Sequence, residues 1–174
     1  MLALFRLLAT LAGPIGRHRQ DPYSNCVTRW RVWPNDVDAF GHMNNGRYPM
    51  IMDLGRIDFL RRCNLLRGVV RNRWAVPVGG VHVEYRKPLK PLQRYELHTR
   101  LLHWDERWFY FRQDFFARGD LSRPVATGHV KTLFVGRGGA VPTQTVVLEL
   151  AGRALQALPL PEEVLRIFPP LPRA

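Results

Sequence analysis

Between Asn35 and Tyr48 the chain reads Asn-Asp-Val-Asp-Ala-Phe-Gly-His-Met-Asn-Asn-Gly-Arg-Tyr. Asn, Asp and Gly dominate up to Asn45, so this stretch is predicted to be a loop. It carries two carboxylates, Asp36 and Asp38, and a histidine, His42. Asn44 or Asn45 is placed to cap a helix that runs on to about Leu66. The first backbone N–H groups of a helix have no intrahelical partners, and its N-terminus carries partial positive charge. An acyl carbonyl oxygen resting there would be polarised, and the oxyanion formed on attack would be stabilised. A carboxylate a few residues upstream could attack the acyl carbon or activate a water. The loop and the helix start together therefore suit acyl-group hydrolysis.

The helix must be held from several sides for this to work. Tyr48, Ile51, Met52, Leu54, Gly55, Phe59 and Cys63 cover much of its circumference, the pattern of a largely buried helix. Four runs with a period of two follow it: Val76 to Arg86, Tyr95 to Trp104, Arg107 to Arg118 and Pro124 to Val135. A further strand, Asn25 to Trp33, precedes the loop. The expected fold class is α+β: an antiparallel sheet of five or six strands curled around one long central helix, since this buries the helix with the elements available.

The loop motif resembles the D-x-D-x-x-G-H-x-N-N-x-x-Y signature of the 4-hydroxybenzoyl-CoA thioesterase-like hotdog-fold superfamily. Asp53 and Arg56 continue the match, and Val83 to Leu89 looks like that family's second strand and its exit turn. The resemblance covers about residues 23 to 137. It implies hydrolysis of acyl- or aroyl-CoA thioesters to free acid and CoA, with no metal and no redox cofactor. It implies Asp38 as nucleophile or general base, and the N–H groups of Asn45 and Gly46 as the site that polarises the thioester carbonyl. His42 is a further catalytic candidate, with packing under the loop as its plainer role. Substrate-binding candidates are Asn44, Tyr48, Phe40, Met43, Phe59, Arg86 and Lys87; Met50, Phe109 and Phe111 join the expected acyl-pocket walls. The family's sites lie between subunits, so a homodimer or homotetramer is expected.

Each residue also has a structural reading. Asp36 is expected to hold the loop by side-chain-to-backbone hydrogen bonds. Asn44 and Asn45 are natural caps, Tyr48 suits the core, and Asp53 with Arg56 forms an i,i+3 ion pair. Two departures from the family pattern stand out. Pro49 falls inside the expected first turns, predicting an irregular start to the helix. Gln93-Arg94 stands where relatives often carry Gly-Asp.

The rest of the 174-residue chain bounds the alternatives. Its length and 46% apolar content fit one domain, residues 21–140, with an N-terminal segment at 1–20 and a C-terminal helix and Pro-rich arm at 141–174. Leu4, Phe5, Leu8, Leu11, Ala12 and Ile15 recur at helical spacing, followed by Arg17, His18 and Arg19. The segment is too short to span a bilayer. It is expected to pack its apolar stripe on the body, with membrane-surface contact as the alternative. A second helix is expected over Val146 to Ala157. Basic residues outnumber acidic ones 26 to 14, and all but Lys87, Lys90 and Lys131 are Arg. Codon bias explains the skew as well as an anionic partner does; in this family's terms the partner would be the phosphates of coenzyme A. Nucleic-acid binding is disfavoured, because the aromatic residues that would stack on bases are needed in the core. A non-catalytic acyl- or lipid-binding protein on the same fold remains the alternative class. No G-x-S-x-G, P-loop or dinucleotide fingerprint occurs. Cys26 and Cys63 have no metal-ligand spacing and are expected to be free thiols, consistent with a cytoplasmic location.

Overall fold

A computed structural model describes residues 2–12, 20–152 and 154–169. Chain order is α1 (Leu2–Ala12), β1 (Cys26–Arg31), a short 3-10 turn (Pro34–Asp36), α2 (Arg47–Arg62), α3 (Leu66–Arg71), β2 (Val78–Tyr85), β3 (Arg94–Trp104), β4 (Phe109–Ala117), β5 (Ala126–Thr132), β6 (Phe134–Gly136), β7 (Gly139–Val141), α4 (Thr143–Ala151) and α5 (Glu162–Ile167). The five strands β1 to β5 form one sheet in the order β1-β3-β4-β5-β2. Every pairing is antiparallel. The helix expected from the sequence is α2, and it is buried against the sheet along most of its length.

The register explains the two faces. Thr99 lies opposite Gln113, Gln113 opposite Gly128, and Gly128 opposite Val83, all facing α2. At this row the helix comes close enough that a Cβ on Gly55 would sit 2.7 Å from Leu97 Cδ2, 2.8 Å from Thr99 Oγ1 and 2.9 Å from Gln113 Nε2. Gln113 Nε2 already donates to Thr99 Oγ1 at 3.0 Å and to the Met52 carbonyl at 2.9 Å. A larger residue at position 55 must therefore displace a satisfied buried network. Gly55→Val is expected to lower unfolding stability by about 3 kcal/mol, read as a shift in the midpoint of urea denaturation.

Asp114 sits at the centre of the sheet's outer face, bonded by Arg100, Arg112 and Thr127. Burial pushes its carboxyl up, but these hydrogen bonds and the Arg112 charge outweigh it and leave the group below the usual carboxylate range. Glu163 of α5 reaches down to Arg112 and His129 and clips the C-terminal arm onto this face. His129 is pushed below its ordinary value by burial, against the pull of Glu163; Arg112 adds to the depression and Asp114 opposes it. A depressed histidine favours folding above the unfolded value of about 6.5 and loses that advantage as pH falls. The melting temperature should therefore drop as pH is lowered from about 7 to 5, and His129→Gln should flatten that part of the curve.

Several boundaries differ from the sequence reading. The central helix ends at Arg62 rather than near Leu66, because Asn64 adopts a left-handed conformation (φ 57°) that breaks it and starts the separate α3. The fourth expected strand splits at Leu133 into β5 and β6, and β6 pairs with β7 in a small second sheet. The late helix starts at Thr143 and stops at the left-handed Gly152, short of Ala157. The Pro-rich arm contains α5, which the sequence did not predict.

The N-terminal helix corrects the sequence reading more sharply. It does lie against the body, but by its polar side. Its one charged residue, Arg6, is buried together with Thr10. Leu4, Phe5, Leu8 and Leu11 face outward, 60%, 64%, 56% and 42% exposed. Ile15 and Arg17 to Arg19, part of the same expectation, lie outside the described residues, as do Pro170 to Pro172. The reason for the inversion is thirty residues away. Asp36, with no accessible surface, accepts hydrogen bonds from both Arg6 terminal nitrogens, one of them at 2.9 Å.

Candidate active site

The motif loop folds back on itself between the 3-10 turn and α2. Val37 and Met43 form an antiparallel bridge. Asn44 N–H donates to the Asp36 carbonyl at 2.8 Å, and Asp38 N–H donates to the His42 carbonyl at 3.0 Å. The Gly41 N–H closes the tip onto the Asp38 carbonyl at 3.1 Å. Gly41 takes φ +77°, the left-handed conformation that this tight reversal requires. Met43 N–H ties the returning arm to the Leu89 carbonyl, just beyond β2, at 2.9 Å.

Asp36 and Asp38 have different jobs in this frame. Asp36 holds the structure together: it binds Arg6, accepts the Trp33 N–H at 2.9 Å and lies 3.8 Å from Arg47 Nε. The expected loop-holding role is thus observed, with a buried arginine added. Asp38 is partly exposed. Its Oδ1 accepts the Phe40 N–H at 2.9 Å, and its Oδ2 has no partner among the described residues. One oxygen fixes the side chain and the other is left unengaged, the state a nucleophile or general base needs.

The helix start separates the two oxyanion candidates. Gly46 N–H is occupied by Asn44 Oδ1 at 2.8 Å. Arg47 N–H is occupied by the Asn44 carbonyl at 2.9 Å. Asn45 N–H has no partner among the described residues, so of the two candidates it is the one left unengaged at the head of α2. The helix itself begins at Arg47 with Gly46 as its cap, and Asn44 lies two residues before the cap, its side chain accepting the N–H of the cap residue itself. Pro49 is the third helical residue. Its missing N–H is one the first turn would have left unsatisfied anyway, so the start is regular where the sequence predicted distortion.

Tyr85 falls in the run predicted as a strand, and the structure gives it a second part. Its hydroxyl donates to the Asn45 carbonyl at 3.0 Å, and its ring meets Tyr48 edge-on. Arg47 was also missed: its guanidinium donates to the Asn35 carbonyl at 2.7 Å and clamps the outgoing arm of the loop. Neither link has a local sequence signal, since each joins residues brought together only by the fold.

The remaining candidates are dispersed. Tyr48 is buried in the core, and burial pushes its phenol up to about 12. Met43 lies in the same apolar cluster. Phe40 stands at the loop tip, 85% exposed, and Met50 is exposed on the first turns of α2. Phe59, Phe109 and Phe111 meet at the other end of α2, around a cavity of about 60 Å³ lined also by Leu101, Val146 and Leu150. The expected single acyl pocket is therefore divided, and its far part is closed over by α4. Arg86 is committed to Thr127 and Glu84 on the outer face, while Lys87 is exposed. Asp53 and Arg56 form the expected ion pair, and Arg56 also donates to Gln113 Oε1 at 2.7 Å. Cys26 and Cys63 are buried and in no disulfide; burial and Asp58 push the Cys26 thiol up to about 12. Among the described residues no group of three or more His, Cys, Asp or Glu is placed to hold a metal.

An antiparallel sheet around one buried helix defines a hotdog-fold protein. The solved structure of YbaW, a probable thioesterase from Escherichia coli, superposes with a TM-score of 0.66 over 75% of this chain and 99% of that one, at 16% identity. The sequence profile of the thioesterase-like superfamily matches residues 32–168, and the chain belongs to that superfamily. Protein THEM6 of Xenopus laevis is 30% identical over 135 residues, 76% of this chain and 62% of its own length. Thioesterase poxG of Penicillium oxalicum is 27% identical over 123 residues, 63% of this chain and 40% of its own. The chain thus spans about half the length of the curated relatives it matches.

Proposed function

We propose that this protein hydrolyses acyl- or aroyl-CoA thioesters to the free acid and CoA. What supports the reading is that one loop carries Asp38, with one carboxylate oxygen unengaged, into the head of α2, where the Asn45 N–H is unengaged among the described residues. The thioester carbonyl would accept the Asn45 N–H, which draws electron density from the acyl carbon. Asp38 would then either attack that carbon or take a proton from an attacking water. The tetrahedral oxyanion would sit on the same N–H and in the positive field of the helix. Collapse would expel the CoA thiolate, giving the acid directly when water attacks; where Asp38 attacks, water would then hydrolyse the mixed anhydride on Asp38 to release the acid. Asn44 keeps Gly46 from competing, and Tyr85 fixes the peptide after Asn45. Water is the only co-reactant this route requires.

A homodimer completes this reading. β2 is an edge strand of the sheet, and Val81 and Tyr85 are exposed along it on the side that faces α2. Pairing of two such edges would cover these side chains, and with them Phe40 and Met50 near the loop, giving the acyl group an apolar wall that one copy lacks. Exposed Lys87 at the end of β2 is the candidate contact for the CoA phosphates.

Free-thiol release from a panel of acyl- and aroyl-CoA thioesters of increasing size tests the proposal. Saturable turnover of at least one member well above its spontaneous rate is expected. No turnover of any member, with tight binding of the intact thioester, would replace hydrolysis by non-catalytic acyl binding.

A further inference from the structure

The geometry points to a second surface on this protein, formed by α1 and the strand edge beside it, that docks on an anionic lipid bilayer. The helix is fixed by the Arg6–Asp36 bonds, with Thr10 buried and Leu7 packed on the core, which leaves Leu4, Phe5, Leu8 and Leu11 facing solvent in one stripe. A helix that buries its only arginine while three leucines and a phenylalanine stay exposed is inverted relative to an ordinary surface helix. No described helix is long and apolar enough to cross a membrane. With 11 residues α1 is about 16 Å long, which suits a helix lying in the interfacial plane rather than through it.

Charge decides which apolar partner fits. A groove of about 480 Å³ separates α1 from the edge made by β1 and β3, and Arg29, Arg31, Arg94 and Arg118 line it together with Glu96. Glu96 is engaged by Arg29 and His98. Arg31, Arg94 and Arg118 have no acidic partner among the described residues, so their guanidinium charges are uncompensated. Trp33, 41% exposed, stands at the rim, the residue type favoured at the headgroup level of bilayers. Leucines that enter the acyl boundary beside arginines that meet phosphates are the two halves of interfacial binding to anionic lipid. The chain's formal net charge of +12 acts in the same direction. The phosphates of free coenzyme A would also suit the arginines, but a nucleotide has no use for the four apolar side chains.

The test is co-sedimentation of the full chain with vesicles. Wild type should bind vesicles of equal parts phosphatidylglycerol and phosphatidylcholine, and bind phosphatidylcholine alone at least about tenfold more weakly. Leu4→Ser/Phe5→Ser/Leu8→Ser should lose about tenfold or more on the anionic vesicles, and so should Arg31→Gln/Arg94→Gln, with unchanged circular dichroism in both. Absence of wild-type binding to anionic vesicles overturns the proposal, as does retention of binding by either variant. If instead the serine variant changes the oligomeric state in solution while wild type ignores vesicles, the stripe is a contact between copies. If the Arg31/Arg94 variant keeps vesicle binding and raises KM for a CoA thioester, the groove belongs to the substrate. None of the lipid readouts depends on the hydrolytic reading.

Discussion

Asp38→Asn is expected to lower kcat for the best CoA thioester about a hundredfold or more, equivalent to about 2.7 kcal/mol of transition-state stabilisation, with the melting temperature and substrate affinity retained. The size follows from what the carboxylate contributes and what it does not. Its Oδ1 bond to the Phe40 N–H can be kept by an amide oxygen, so the loop tip keeps its shape. The charge and basicity of the second oxygen cannot be replaced. Without them the Asn45 N–H would still bind and polarise the carbonyl, but the attack would lose its base or nucleophile. The kinetic signature is therefore a fall in kcat with KM little changed. A variant that keeps wild-type kcat would remove Asp38 from the chemistry; one that also melts early would mean the side chain serves the fold.

Asp36→Ala is expected to act in the opposite way, through stability. Removing the carboxylate leaves the buried Arg6 guanidinium without a counter-charge there, held by the Arg31 carbonyl at 3.1 Å and the Trp30 ring, whose centroid is 5.9 Å away. An uncompensated buried charge costs about 3–5 kcal/mol. The chain has an escape from the full cost: α1 can peel away and hydrate Arg6, giving up the packing of Leu7 and Thr10. The expected result is a loss of about 3 kcal/mol, with new protease cleavage before Gln20 well below the melting temperature. The Trp33 N–H also loses its acceptor and Arg47 its counter-charge, so the loop slackens and kcat falls in step. Arg6→Met, which removes the charge from the other end, should cost less, because Asp36 then keeps Trp33 and Arg47. A loss in Asp36→Ala below about 1 kcal/mol, with the N-terminus still protected, would show that apolar packing alone holds α1.

The contrast between these two carboxylates shows what the sequence made legible. The loop, the helix after it and the alternating strands all carry local signals: turn residues, a many-sided apolar helix and a period of two. Thr99, Gln113 and Gly128 fall on one face for that reason. The motif also singled out Asp38 and Asn45 as candidates, and the structure leaves an oxygen of one and the N–H of the other unengaged among the described residues. It did not choose between Asn45 and Gly46, because that choice rests on where the Asn44 side chain turns. Pro49 looked disruptive only while the helix was thought to begin earlier. What stayed hidden depends on contacts between distant residues. The orientation of α1 is set by Asp36, thirty positions on, so an apolar stripe that pattern reading assigned to the core faces outward. Tyr85 reaches Asn45 across forty positions. The short helices α3 and α5 end at left-handed or proline positions that periodicity does not weigh, and α5 is held by Glu163 reaching Arg112 and His129 on separate strands.

The central claim is that Asp38 and the Asn45 N–H act on one thioester carbonyl. The most direct measurement is the infrared stretch of a carbonyl-labelled CoA thioester, the fastest member of the panel, bound to slow-turning Asp38→Asn. A carbonyl that accepts the Asn45 N–H at the positive end of α2 should absorb at distinctly lower frequency than the same thioester in water. A bound thioester whose stretch matches that in water, or lies above it, would show that the head of α2 does not polarise the substrate and would contradict the proposed site.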